Sequence, residues 1–217
     1  MVWHESDEVA VIVMLTQVNE GGKEKCFSYF PTDESNKVIE TNRDDEFRDG
    51  VNARVELLDT TQDRKTRSTI RRLKLSVGDE SKTVWHFLFE GWPDFLVPEG
   101  EDRLALLELV KKTATVNTDP HVPRIVHCSA GVGRSGTFIA LDYLLGELAD
   151  GAMDDVPVKQ DPVMRTVDKL RQQRMMMVQG ESQYMFLYET LKQQWLERHR
   201  GEQSIAARQK KEEIAKQ

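Results

Sequence analysis

One stretch of the chain, Val126-His127-Cys128-Ser129-Ala130-Gly131-Val132-Gly133-Arg134-Ser135-Gly136-Thr137-Phe138, has the residue types and order of a site that holds an anion and attacks it. A cysteine leaves a short apolar run, five small residues follow, and Arg134 and Ser135 stand where a helix begins. The first amides of a helix have no partner inside it. In a glycine-containing loop such amides turn inward as a concave nest, and the helix dipole adds positive potential there. A tetrahedral oxyanion fits that nest. Ser129, Ala130, Gly131, Val132 and Gly133 are the backbone that would approach it, and the Arg134 guanidinium can grip two oxygens at once. The same field favours a thiolate at Cys128, since amides, a helix start and an arginine all lower a thiol pKa. Ser135 is placed to donate to that sulfur, and His127, on the opposite strand face, to orient the loop. A lone buried cysteine in a glycine-rich turn would be ordinary core. Core packing gives no reason for the whole order of Cys, five small residues, Arg and Ser before a helix.

The elements that must carry this loop are legible in outline. Residues 9–18 read as a buried strand, 25–29 as a short strand ending at Pro31, and 32–50 as a polar loop. Three strands follow from Asn52. They carry Val55, Leu57 and Leu58, then Ile70, Leu73, Leu75 and Val77, then Val84, Phe87 and Phe89. Turn signals fall at residues 60–63 and 78–79, so the strands form an antiparallel meander. From Pro98 the period becomes helical, with Leu104, Leu107, Val110 and Ala114 on one face. Ile125-Val126 makes a very short strand, and the helix after Ser135 stops near Gly151. Another helix starts at Pro162, and a last one carries Tyr184, Leu187, Tyr188, Leu191 and Trp195. Strands first and helices later predict an α+β fold with a twisted, mixed but largely antiparallel sheet flanked by helices. Residues 1–198 are expected to form one domain, and 199–217 a polar, frayed tail.

Composition narrows the function. Lys and Arg number 30 against 37 Asp and Glu, a net charge of −7, which argues against a nucleic-acid surface. The longest apolar run, residues 9–15, is far shorter than the roughly 18 residues of a membrane span. The chain opens without a secretory pattern. Two cysteines, Cys26 and Cys128, make no disulfide framework and suit a reducing compartment, so the expected location is the cytoplasm, with the nucleus also open.

The pattern H-C-x-x-x-x-x-R from His127 to Arg134 resembles the signature loop of the cysteine-dependent protein tyrosine phosphatases, in the tyrosine-specific subclass. Gly91-Trp92-Pro93-Asp94 is similar to that family's mobile acid loop, which implies that Asp94 protonates the tyrosine leaving oxygen and later deprotonates water. Trp92 and Pro93 would support that loop. Gln179 and Gln183 in Gln179-Gly180-Glu181-Ser182-Gln183 match the loop that positions the water. Glu20, with Lys25, Cys26 and Tyr29, resembles the glutamate loop, which implies that Glu20 buttresses Arg134 and that Lys25 lies near the acid loop. Each motif alone has a plainer reading, as a turn, a surface amide or a loop charge. Their joint order with the cysteine loop favours the resemblance.

The resemblance implies hydrolysis of phosphotyrosyl proteins, kinase activation loops among them, through a cysteinyl-phosphate and with no metal or cofactor. It fails upstream. Met1-Val2-Trp3 resembles a segment internal to the family's domain, and the K-N-R-Y motif that would supply a ring-stacking tyrosine does not occur. The amino-terminal part of the fold is therefore expected to be absent. Two rival readings stay open: a catalytically weak or inactive phosphate-binding fragment, and a dual-specificity or phosphoinositide phosphatase, although the signature loop contains no lysine for extra phosphates. The basic run Arg64, Lys65, Arg67, Arg71, Arg72 and Lys74 reads as a solvated strand face, with attraction of acidic phosphopeptides as the alternative. Met175, Met176 and Met177 read as adaptable packing under the glutamine loop.

Overall fold

A strand apolar at every position belongs at the centre of a sheet covered on both faces. Residues 9–14 take that place in the computed structural model: β1 (Val9–Met14) is buried from Ala10 onward. The structure describes every residue except 33–34, 46–47, 49, 94–95, 155–159 and 216–217, and for 201–215 it describes the backbone alone. Its other elements, in chain order, are α1 (Val2–Glu5) before β1, then β2 (Asn19–Glu20), β3 (Lys23–Glu24), β4 (Val38–Thr41), β5 (Ala53–Asp63), β6 (Ser68–Val77) and β7 (Glu80–Phe89). The second half holds α2 (Gly100–Val116), β8 (Ile125–His127), α3 (Gly133–Ala149), α4 (Pro162–Gln173) and α5 (Glu181–Ala215).

Among the described residues the main sheet has the order β4-β5-β6-β7-β1-β8. The β4 to β7 pairs are antiparallel, while β1 lies parallel to both β7 and β8. This is the expected mixed α+β sheet. Period-two alternation sends the two sides of each strand into different cores. Val11, Val13, Leu15, Ile70, Phe87 and Phe89 face α2 to α5, packing on Leu106, Leu109, Phe138, Leu141 and Leu187. Ala10, Ile12, Met14, Leu73 and Val84 face the other way, under Phe30 and Tyr29, and α1 adds Val2 there.

Several boundaries differ from the sequence reading. The strand expected at 25–29 is not formed; β2 and β3 make a two-residue hairpin instead, and Tyr29 and Phe30 turn their rings onto the sheet face beside His86. The polar loop 32–50 contains β4, an edge strand held by β5. Thr60 to Asp63 do not turn but stay paired as far as Asp63↔Ser68, with a register shift between Leu57 and Asp59. The backbone of α5 stays helical past His199 to Ala215.

The basic run also behaves differently. Its tip is tied to α2 by Lys65 to Glu108 at 2.6 Å and Arg67 to Asp102 at 2.9 Å, while Arg72 meets Asp59 at 2.7 Å. Arg71 is buried, 7% exposed. Of the three methionines only Met177 is packed; Met175 and Met176 are exposed.

Candidate active site

The loop 128–132 is suspended between β8 and α3, and its first end is fixed by the sheet. β8 pairs with β1 through Ile12↔Ile125 and Met14↔His127, and Leu15 N–H donates to His127 O at 2.9 Å. Among the described residues no side chain caps α3, whose cap residue is Val132, and its first turn carries no acid. The amides there are offered to a ligand, as an anion site at a helix start requires. Gly131 sits at φ +70°, a conformation a side chain would strain, and this turns the loop inward.

Cys128 lies at the loop's start, 7% exposed. Burial pushes its thiol pKa up, but the Ser135 hydroxyl and the backbone N–H groups of Ser135, Gly131 and Val132 outweigh burial and hold it below the ordinary thiol value. Ser135 Oγ is enclosed and makes no hydrogen bond of ordinary geometry among the described residues, which leaves the sulfur as the group it acts on.

Arg134, 5% exposed, is held by a carboxylate and a backbone carbonyl from the segment that follows β1. Its Nη1 and Nη2 donate to Glu20 Oε1 and Oε2, both at 2.7 Å, and Nη1 also donates to Leu15 O at 2.9 Å. This fork fixes the plane of the guanidinium. Glu20 in turn accepts from Thr16 Oγ1 at 3.0 Å and Gln17 N at 3.1 Å. Burial raises the Glu20 pKa, and Arg134 with these donors brings it below the usual glutamate value. Lys25, half-buried, follows β3 with its N–H on Val18 O at 2.7 Å.

The glutamine segment is strapped to the same loop. Val178 N–H donates to Val132 O at 3.1 Å, and Arg174 Nη2 donates to Ala130 O at 3.1 Å. A β-carbon on Gly133 would lie 3.2 Å from the Gln183 amide and 3.5 Å from Gln179 Oε1, so both glutamines border the nest. One on Gly136 would sit 2.5 Å from Val178 N, and glycine is what lets α3 approach this segment. Trp92 is buried with its Nε1 donating to Leu96 O at 3.0 Å; Pro93 is exposed. Asp94, the expected acid, lies outside the described residues. A cavity of about 460 Å³ lined by Gln17, Glu20, Gly91, Trp92 and Pro93 separates the glutamate loop from the base of the acid loop.

Behind the nucleophile stands a polar group that the sequence reading assigned no role beyond His127. His127 Nδ1 is 3.1 Å from Cys128 O and its Nε2 is 2.6 Å from Tyr29 Oη, which is also 3.0 Å from His86 Nε2. The available signal was a histidine at an inward position of β7, between Val84 and Leu88.

A thiol held below its ordinary pKa at a helix start, beside an arginine fixed by a carboxylate, has the chemistry to hold and attack an oxyanion. The protein-tyrosine phosphatase family model matches residues 1–193, and the chain belongs to that family. Human tyrosine-protein phosphatase non-receptor type 7 is 38% identical over 195 residues, 88% of this chain and 46% of the relative. Tyrosine-protein phosphatase 2 of Schizosaccharomyces pombe is 34% identical over 194 residues, 88% of this chain and 25% of the relative. Rat phosphatidylinositol phosphatase PTPRQ is 35% identical over 191 residues, 88% of this chain and 7% of its own length. The chain thus spans under half the length of these curated relatives. Among solved structures, the catalytic domain of human protein tyrosine phosphatase non-receptor type 18 superposes with a TM-score of 0.72 at 28% identity, covering 89% of this chain and 62% of that one. PTPN18 in complex with HER2-pY1248 phosphopeptides gives 0.72 at 28% identity, over 88% of this chain and 64% of that one.

Proposed function

We propose that this chain hydrolyses phosphotyrosine in proteins through a cysteinyl-phosphate intermediate, in intracellular signalling. One observation carries the reading: Cys128, with its thiol pKa lowered, opens an uncapped helix start whose Arg134 is fixed by Glu20. The phosphopeptide complex of the similar PTPN18 supports phosphotyrosyl substrates. In the first step the Cys128 thiolate attacks phosphorus. An S–P bond forms, the P–O bond to the phenol breaks, and Asp94 supplies the proton the leaving oxygen needs. Arg134 and the loop amides hold the equatorial oxygens as charge shifts, which is where preorganised donors lower a barrier most. In the second step water, oriented by Gln183 and Gln179, gives a proton to Asp94 and displaces the thiolate, and phosphate leaves. Ser135 stabilises the departing sulfur. Ser129 to Gly133 bind through backbone, Trp92 and Pro93 support the acid loop, and Lys25 assists it. Kinase activation loops are substrates of suitable chemistry, and the cytoplasm, with the nucleus, is the proposed location.

A second reading, phosphoinositide hydrolysis, has the similarity to PTPRQ in its favour. Phosphate release from phosphotyrosyl, phosphothreonyl and inositide substrates, beside a Cys128→Ser control, tests both. Tyrosine-selective release lost in the control is expected; preference for the inositide would overturn the proposal.

A further inference from the structure

Arg71 is a buried guanidinium that makes no ion pair among the described residues. It is 7% exposed, its Nε and Nη1 have no hydrogen-bond partner, and no carboxylate lies within ion-pair distance of it among the described residues. Burying a charge without pairing or hydrogen-bonding it is costly. Its setting is specific. Arg71 lies opposite His86 in the β6–β7 register, and its guanidinium carbon stands 4.7 Å from the Phe30 ring centroid. Phe30 also packs on the His86 ring at 4.3 Å. His86 is fully buried, and its Nδ1 has no partner among the described residues either.

The hydrogen-bond chain from His86 to Cys128 has one allowed direction when both histidines are neutral. Cys128 O only accepts, so His127 Nδ1 carries the hydrogen and its Nε2 is bare. That bare nitrogen takes the single proton of Tyr29. The Tyr29 oxygen must then accept from His86 Nε2–H, which leaves the His86 Nδ1 lone pair unpartnered. A nearby cation stabilises such a lone pair. We infer that Arg71 is a positioning residue for the nucleophile: its uncompensated charge holds His86 as the neutral Nε2–H tautomer, and the chain through Tyr29 and His127 thereby fixes the Cys128 carbonyl at the start of the nest.

The charges around this chain act consistently. Burial first, then the charge of Arg71, then that of His127, together lower the His86 pKa to about 3. Burial also lowers His127. Glu90 acts on Arg71 only at a distance, its Oε1 accepting from Thr69 Oγ1 at 2.8 Å. Cys26 and Arg71 act on Tyr29 in opposite senses, and burial keeps that phenol protonated.

The inference rests on Cys128 being the nucleophile proposed above, and its test is separable from that reading. Long-range ¹H–¹⁵N spectra of the histidine rings, recorded from pH 5.5 to 8 on the full chain, report each tautomer directly. The wild-type chain should show His86 as Nε2–H and His127 as Nδ1–H throughout. Arg71→Met, which keeps the stem and removes the charge, should mix the His86 tautomers. It should also raise the Cys128 pKa read from iodoacetamide alkylation by about half a unit, or roughly threefold less thiolate at low pH. Arg71→Lys should restore both. A wild-type His86 in the Nδ1–H or charged form overturns the inference, even if Arg71→Met fails to fold. So does a folded Arg71→Met chain with unchanged tautomers and thiol pKa. Failure of the wild-type chain to hydrolyse phosphotyrosine would overturn the proposed function and leave the ring spectra to decide this inference.

Discussion

Replacing Glu20 by glutamine tests how the anion site is held together. The side chains of Arg134 and Glu20 are 6% and 16% exposed, and the fork between them has two 2.7 Å bonds. Glutamine keeps one carbonyl acceptor and nearly the same shape, so it removes one charge-assisted bond and the countercharge. A hydrogen bond to a charged group contributes about 1.5–3 kcal/mol. Stripping a buried charge of its partner altogether costs about 3–5 kcal/mol, which is the expectation for Glu20→Ala. Against a typical domain stability of about 5–15 kcal/mol, both losses are measurable by urea unfolding as a lower midpoint at unchanged slope. The pH dependence has a definite sign. The Glu20 pKa is lowered in the folded chain, so its contribution is complete above the ordinary glutamate range and is lost as pH falls through the lowered value. Glu20→Gln should therefore flatten the acid side of the stability profile. It should also weaken vanadate binding, because Arg134 loses the group that fixes its plane; a ligand at 100 times its Kd stabilises by about 2.7 kcal/mol, and that increment should shrink. A Glu20→Gln chain with wild-type midpoint, acid profile and vanadate response would refute this reasoning.

Three further outcomes follow from the same geometry. Alkylation of Cys128 should reach its plateau at a pH below that of an ordinary thiol, and Ser135→Ala should shift the profile upward, because the hydroxyl stabilises only the charged sulfur. Gly136→Ala should destabilise by about 1–3 kcal/mol in thermal or urea unfolding and lower kcat more than KM changes, since the new methyl would meet Val178 N at 2.5 Å and push the glutamine segment from the nest. Brief peroxide treatment should abolish activity and a thiol should restore it, with vanadate protecting, as a thiol of lowered pKa requires; Cys26, though more exposed, has its pKa raised and should react more slowly.

The anion loop was legible because its chemistry is local: cysteine, small residues, arginine and a helix start lie within one turn of sequence. The alternation of β6 and β7 likewise showed the meander. What escaped depends on distant partners. β4 contributes only Val38 and Ile39 to burial and exists because β5 offers its edge. Gln62 and Asp63 look like turn residues, yet β6 pairs with them and Lys112 holds Asp63. A charge on a strand signals a solvent face, and Arg71 breaks that rule because Phe30 and His86 surround it. Tyr29 falls outside any regular element, so no periodicity points to its bonds with both histidines.

The most direct measurement is phosphate release from a phosphotyrosyl peptide by this chain, beside Cys128→Ser and a phosphoseryl peptide. The account predicts release from the phosphotyrosyl peptide alone, abolished in the variant. A chain that unfolds cooperatively and binds vanadate yet releases no phosphate would contradict it, and would mark the nest as a site that binds without catalysis.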